Sequence, residues 1–304
     1  MSTDVSTKPL QMTSLTWGLL VLLSVLWGGS FFFVELALEE MPTLTVVFAR
    51  VSLAALALHL YLLLRGQRIP LDPELWAAFF VMGLINNFIP FTLIVWGQVY
   101  IEGGLASILN ATTPIFAVLL AHLLTKDERL TLHKLVGVVL GFLGVIVLIG
   151  PEALRGLGTN LLAQLAVIGA GLSYALAGIY GRRFKNVPSS FTAAGMLTCS
   201  AVILLPLSLI ADEPWNLSVG MLSLSAVIAL AVLSTAAAYL IYFYILSEAG
   251  ATNVLLVTLL IPISAILLGV LFLNERLSLT AYVGMAFILT GLLAVDGRLF
   301  KRVA

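Results

Sequence analysis

One cysteine, Cys199, stands among 304 residues. It excludes an intrachain disulfide framework and a cysteine-rich metal site, and in its apolar run it is expected to be a packed thiol. Charge is equally scarce. Only 10% of residues are Asp, Glu, Lys or Arg, where a soluble domain carries about one quarter. Fifteen cations balance fifteen anions, so no basic or acidic field points to nucleic acid. The chain has no His-Glu-x-x-His, no Gly-x-Ser-x-Gly and no phosphate-cradling glycine loop. Its lone serines have no visible base to activate them. No enzyme activity, metal or cofactor is therefore expected. Carboxylates are also missing from the depth of the apolar segments: Glu35 lies near one end, and Glu102, Glu248 and Asp296 lie at ends.

What is present is apolar. The chain is 61% hydrophobic with a mean hydropathy of +1.12, a surface that lipid tolerates and water does not. A hydrocarbon core of about 30 Å needs about 20 apolar residues per helix. Ten segments qualify: Ser14–Leu36, Thr45–Leu64, Leu75–Trp96, Leu105–Leu124, Leu132–Ile149, Leu161–Gly181, Phe191–Ile210, Gly220–Leu246, Asn253–Leu273 and Leu279–Val295. The first is too long for a cleavable signal and reads as a retained helix. Short connections leave no room for a soluble domain. Lipid forces each segment to satisfy its own backbone, so an all-α bundle is expected.

The chain also repeats itself. Glu128-Arg129-Leu130 recurs as Glu275-Arg276-Leu277 at an offset of 147, and Gly137 and Gly144 recur as Gly284 and Gly291. Pro114 recurs as Pro262 at 148, and Trp27-Gly28 falls opposite Tyr174-Ala175. A period this long marks a duplicated half-protein, residues 1–150 and 151–304 within one transmembrane domain. With the amino terminus in the cytoplasm, the inward positions hold twelve of the fifteen Lys and Arg. The outward loops hold only Arg155 and Arg276, while Arg50 opens the second helix. That bias sets both termini in the cytoplasm. Five helices is an odd number, so the second half enters the membrane inverted, an arrangement that characterises secondary transporters with a central cavity.

Leu26-Trp27-Gly28-Gly29-Ser30-Phe31, then Pro42, then Phe48-Ala49-Arg50, resembles the opening of the drug/metabolite transporter superfamily, EamA type. The two proline-helix, Glu-Arg-Leu, glycine-helix units are similar to the signature closing each half of that family. The resemblance runs from about Ser14 to Arg298. It implies ten helices in two inverted five-helix halves around a central cavity, and export or exchange of small metabolites. Within the superfamily it points to exporters of amino acids, aromatic ones included. The slip between Pro114 and Glu128, fourteen residues against thirteen in the second copy, departs from strict equivalence.

Polar and aromatic side chains at mid-span are costly against lipid and should face a partner helix or a cavity. They are Trp27, Ser30, Asn86, Asn87, Asn110, Ser173, Tyr174, Tyr239 and Tyr242, the candidate substrate site. Tyr239 and Tyr242 share a helix face, while Tyr244 turns away. Pro114 and Pro262 are hinge candidates, with static kinks as the plainer use. Glu128, Arg129, Glu275 and Arg276 sit where helices begin, and structural anchoring by ion pairs is favoured over substrate contact. Gly137, Gly141, Gly144, Gly284 and Gly291 suit close packing within the bundle, or a homodimer face. Glu35 and Arg50 lie near helix ends, from which long side chains reach the interface. His59 and His122 are the deep titratable groups, as packing or as a relay.

These readings converge on a transporter in the cell membrane, exporting small metabolites, best amino acids, by alternating access. Its partners are a small-molecule substrate and the lipid bilayer. A neutral cavity of amides and phenols would hold a zwitterion without obligatory ion coupling. The alternatives are an exchanger of nucleotide sugars or phosphorylated metabolites, for which no cavity cations are evident, a polytopic membrane enzyme, and a channel.

Overall fold

The computed structural model describes residues 12–125, 130–149, 160–264 and 279–296. Every regular element among them is helical. Seven helices are long and apolar enough to cross a bilayer: α1 Ser14–Leu38, α2 Thr43–Leu64, α3 Pro73–Gln98, α4 Gly103–Leu124, α6 Leu161–Phe184, α7 Ser189–Asp212 and α8 Met221–Ala249. Between and after them lie the shorter apolar helices α5 Leu132–Ile149, α9 Ala251–Ser264 and α10 Leu279–Asp296. The repeated Glu128, Arg129, Glu275 and Arg276 fall outside the described residues.

Several helices begin or end a few residues beyond their apolar stretch, and polar side chains explain two of the starts. Thr13 Oγ1 accepts from the Thr16 N–H at the start of α1. Asp72 accepts from the Glu74 N–H ahead of α3, with Pro73 supplying a first-turn residue that needs no donor. Large apolar side chains such as Leu22, Leu56, Leu63, Leu162 and Ile210 point outward and are exposed. In water that shell would be an aggregation surface; against lipid chains it is matched.

The helices pair in a pattern with its own symmetry. α2 packs on α7, α5 on α10, α1 on α8 and α3 on α6. Exchanging α1–α5 for α6–α10 returns the same four pairs. A second correspondence is local. α3 widens to π-winding over Leu84–Phe88, and α8 does so over Val232–Ala237. Their first residues are 148 apart, the offset of the two prolines. Nothing in the apolar pattern announces either segment.

The repeated glycines are spent inside the bundle. A Cβ on Gly291 would collide with the Gly137 carbonyl oxygen, and one on Gly144 would lie 2.8 Å from that of Gly284. Backbone meets backbone there, so α5 and α10 approach as only glycine permits. Gly141 faces the Leu259 side chain of α9, whose Cδ1 would lie 2.7 Å from an added Cβ. These glycines are used for packing within the bundle.

Prolines mark different situations. α4 breaks at Ala111–Thr112, and Pro114 sits just after the break, where its missing N–H costs nothing. α9 is interrupted at Leu256, and Pro262 lies further along. The break therefore comes two residues before Pro114 and six before Pro262. Pro90 follows the π-segment of α3, and Pro206 lies within α7. Cys199 is buried, as expected of a packed thiol.

Candidate functional site

Residues from α1, α2, α3, α4, α6, α8 and α9 enclose a cavity with about 630 Å³ of unfilled space, its mouth included. Of the candidate residues, Trp27, Ser30, Asn86, Asn110, Tyr174, Tyr239 and Tyr242 line it. Five helices thus bring together seven side chains that the sequence scatters over more than 200 positions.

Three aromatic rings form one wall. The Trp27 ring lies 5.8 Å from that of Tyr242 and 6.5 Å from that of Tyr239, centroid to centroid, and the two tyrosines are 6.1 Å apart. Trp27 meets Tyr239 edge-on at 84°, an arrangement the ring quadrupoles favour. Phe91 and Tyr174 make a second edge contact at 6.5 Å. Tyr244 is exposed, on the other side of α8.

The phenols differ in what holds them. Tyr239 donates to Asn87 Oδ1 at 2.7 Å, Asn87 Nδ2 donates to Ser200 Oγ at 3.2 Å, and Ser200 donates to the Gly83 carbonyl at 3.0 Å. Asn87 is therefore fully buried behind the wall, fixing Tyr239 rather than facing the cavity. Ser173 likewise stands behind it, donating to the Ile85 carbonyl at 2.6 Å. The wide winding of Leu84–Phe88 frees carbonyls, and Ser173 satisfies one. Tyr180 is placed near the end of α6, accepting from Arg183. By contrast, Tyr242 OH and Asn110 Oδ1 are buried with no hydrogen-bond partner. So is Oε1 of Gln98, whose Nε2 donates to the Phe31 carbonyl and so fixes which amide atom is free.

The residue that sequence reasoning misplaced is Arg50. It does not reach the interface. It is 6% exposed and lines the cavity, its guanidinium carbon 3.6 Å above the centre of the Phe91 ring. Its Nε donates to Thr235 Oγ1 at 2.9 Å, within the π-segment of α8. Ser234, the preceding residue, donates to the Leu26 carbonyl next to Trp27. The cavity is therefore not neutral, which removes the premise of a site without fixed charge. A usable signal existed: Arg50 lies seven residues into an apolar helix, about 10 Å from its start. Gln98, Phe91 and Thr258 also line the cavity without having been singled out. His59 and His122 do not line it. His59 is exposed and bonded to Thr198, and His122 accepts from the Leu130 N–H.

Fold and site together define a multi-pass α-helical membrane protein with a chamber between its helices. The chain belongs to the EamA-like transporter family, whose profile matches it twice, over residues 15–150 and 161–295. It is therefore a membrane transporter of the drug/metabolite transporter superfamily. It is 23% identical over 274 residues to the uncharacterized transporter YoaV of Bacillus subtilis, covering 90% of this chain and 94% of that one. Protein PecM of Dickeya dadantii is 28% identical over 278 residues, covering 91% of each chain. The uncharacterized inner membrane transporter YedA of Escherichia coli K12 is 27% identical over 285 residues, 92% of this chain and 90% of that one. A crystal structure matches the fold with a TM-score of 0.78 at 20% identity, over 96% of this chain and 99% of the other.

Proposed function

We propose that this transporter exports amino acids, aromatic ones included, across the cell membrane by alternating access, and that it acts without enzymatic chemistry. The observation that carries this reading is one cavity combining a buried guanidinium, an aromatic wall and unpartnered polar oxygens. A carboxylate suits the first, an apolar side chain the second and an ammonium the third. We further read the chain as ten spans in two inverted halves with both termini cytoplasmic. The exchange-symmetric helix pairs and the two π-segments support that arrangement. Pro114 beside the break in α4 is the better hinge candidate of the two prolines. Among the described residues no carboxylate or histidine lines the cavity, which supports movement down the substrate gradient without obligatory proton coupling.

Arg50 also lends some weight to a carrier of phosphorylated metabolites. One cation against a dianion is thin, however, since phosphate sites favour several donors in a fork. Purified protein in liposomes preloaded with phenylalanine should accumulate labelled phenylalanine by counterflow with no imposed pH gradient or potential. Absence of saturable uptake for all common amino acids would remove the amino-acid assignment. Uptake that follows only a proton gradient would remove the uncoupled mode.

A further inference from the structure

Arg50 is a buried cation that the protein leaves without an anion. Among the described residues no Asp or Glu reaches it. Phe91 supports one face and Thr235 engages Nε. A guanidinium carries its donors in a rigid planar fork, and here the terminal nitrogens make no hydrogen bond to any described residue. An unpaired buried charge is strongly unfavourable, so an arginine fixed on two sides, with its outer edge toward the cavity, is placed to take an anion.

The remaining polar atoms of the cavity narrow the class of that ligand. Asn110 Oδ1 and Gln98 Oε1 are acceptors only, and both lack a donor. Such oxygens repel a multiply charged anion. Among the described residues no second cation lines the cavity. The arrangement favours a planar anion of single charge, which the fork can grip through two parallel bonds.

We propose that Arg50 is the anchor for a free carboxylate on the transported molecule. This rests on the amino-acid reading above and sharpens it: the class is set by the acid group, and amides, esters and phosphates of the same skeleton are excluded. Thr235 and Phe91 are positioning residues, holding the fork toward the cavity.

The test uses four ligands sharing one aromatic ring: phenylalanine, phenylpyruvate, phenylalaninamide and phenyl phosphate. Binding to the purified full chain in lipid nanodiscs is measured by calorimetry. Phenylalanine should bind about 10- to 100-fold more tightly than its amide, the span of a charge-assisted hydrogen bond, and phenyl phosphate should bind no better than the amide. Arg50→Gln should bring the acid-to-amide ratio to about one, and Arg50→Lys should restore part of it. The wild-type comparison stands even where a variant fails to fold. Phenylpyruvate binding through Arg50 without phenylalanine binding would uphold the anchor and remove the amino-acid reading. Equal binding of acid and amide, tighter binding of the phosphate, or no binding by any of the four would overturn the anchor. An acid-to-amide preference that survives Arg50→Gln would overturn it too.

Discussion

Two tyrosines three positions apart on one face of α8 carry different duties, and their hydroxyls tell them apart. Tyr239 OH is paired with Asn87, so Tyr239→Phe would leave Asn87 Oδ1 with only the long 3.4 Å contact from Asn86 Nδ2. Thermal unfolding should report a loss of about 1–3 kcal/mol. Tyr242 OH has no partner, so Tyr242→Phe should leave unfolding unchanged while weakening substrate several-fold in a transport assay. The opposite pattern would exchange the two roles. Helical spacing made the shared face of Tyr239 and Tyr242 legible in the sequence. It did not separate Asn86, which faces the cavity, from Asn87, which faces Ser200. Nor did it place Arg50: on a helix apolar all round, periodicity has no contrast with which to say what an arginine faces.

At the scale of elements, the π-segments do what an ordinary helix could not. Each adds a residue's worth of winding inside a span and turns the following residues onto a new face. Val232–Ala237 thereby offers Ser234 to α1 and Thr235 to Arg50, with Tyr239 and Tyr242 beyond. Deleting Ala236 should rotate those tyrosines by about 100° relative to the upstream half of α8. We expect the variant to insert and to lose transport; wild-type uptake would show the winding to be incidental. Helix ends join the two halves as well. Glu40 Oε2 accepts the Gly220 N–H at 2.7 Å, and Asp212 Oδ2 accepts from the Thr45 N–H and hydroxyl. The Gly220 N–H, with help from Ser223, holds the Glu40 carboxyl below the ordinary value of 4.5. A depressed carboxylate contributes stability that is present above the unfolded value and lost as pH falls through the folded one. The stability difference between wild type and Glu40→Gln should therefore hold at neutral pH and shrink as pH drops below 4.5. A difference independent of pH would mean that the charge contributes nothing.

For the whole molecule, the inverted arrangement makes a prediction about sides. In a Cys199→Ser background, a cysteine at Glu213 should react with an impermeant maleimide on intact cells, and one at Arg183 only after the membrane is opened. Labelling of both from one side would dismantle the two-half architecture. The membrane class and the helical build were legible beforehand, because lipid admits few solutions. Long apolar runs must be helices, and the proline recurs at an offset of 148 and the glycines at 147. The partners of Gly137 and Gly144 were not legible. Small residues permit close approach without naming what approaches, and only packing shows them to be Gly291 and Gly284. By itself the sequence determined the solvent, the helical class, the repeat and seven of the side chains that line the cavity, since these follow from composition, length and spacing along the chain. Tertiary structure alone decided which polar groups stand in the wall and which behind it, and that Arg50 faces the cavity. Those outcomes depend on the rotation of each helix about its own axis, which helices apolar on every side do not encode.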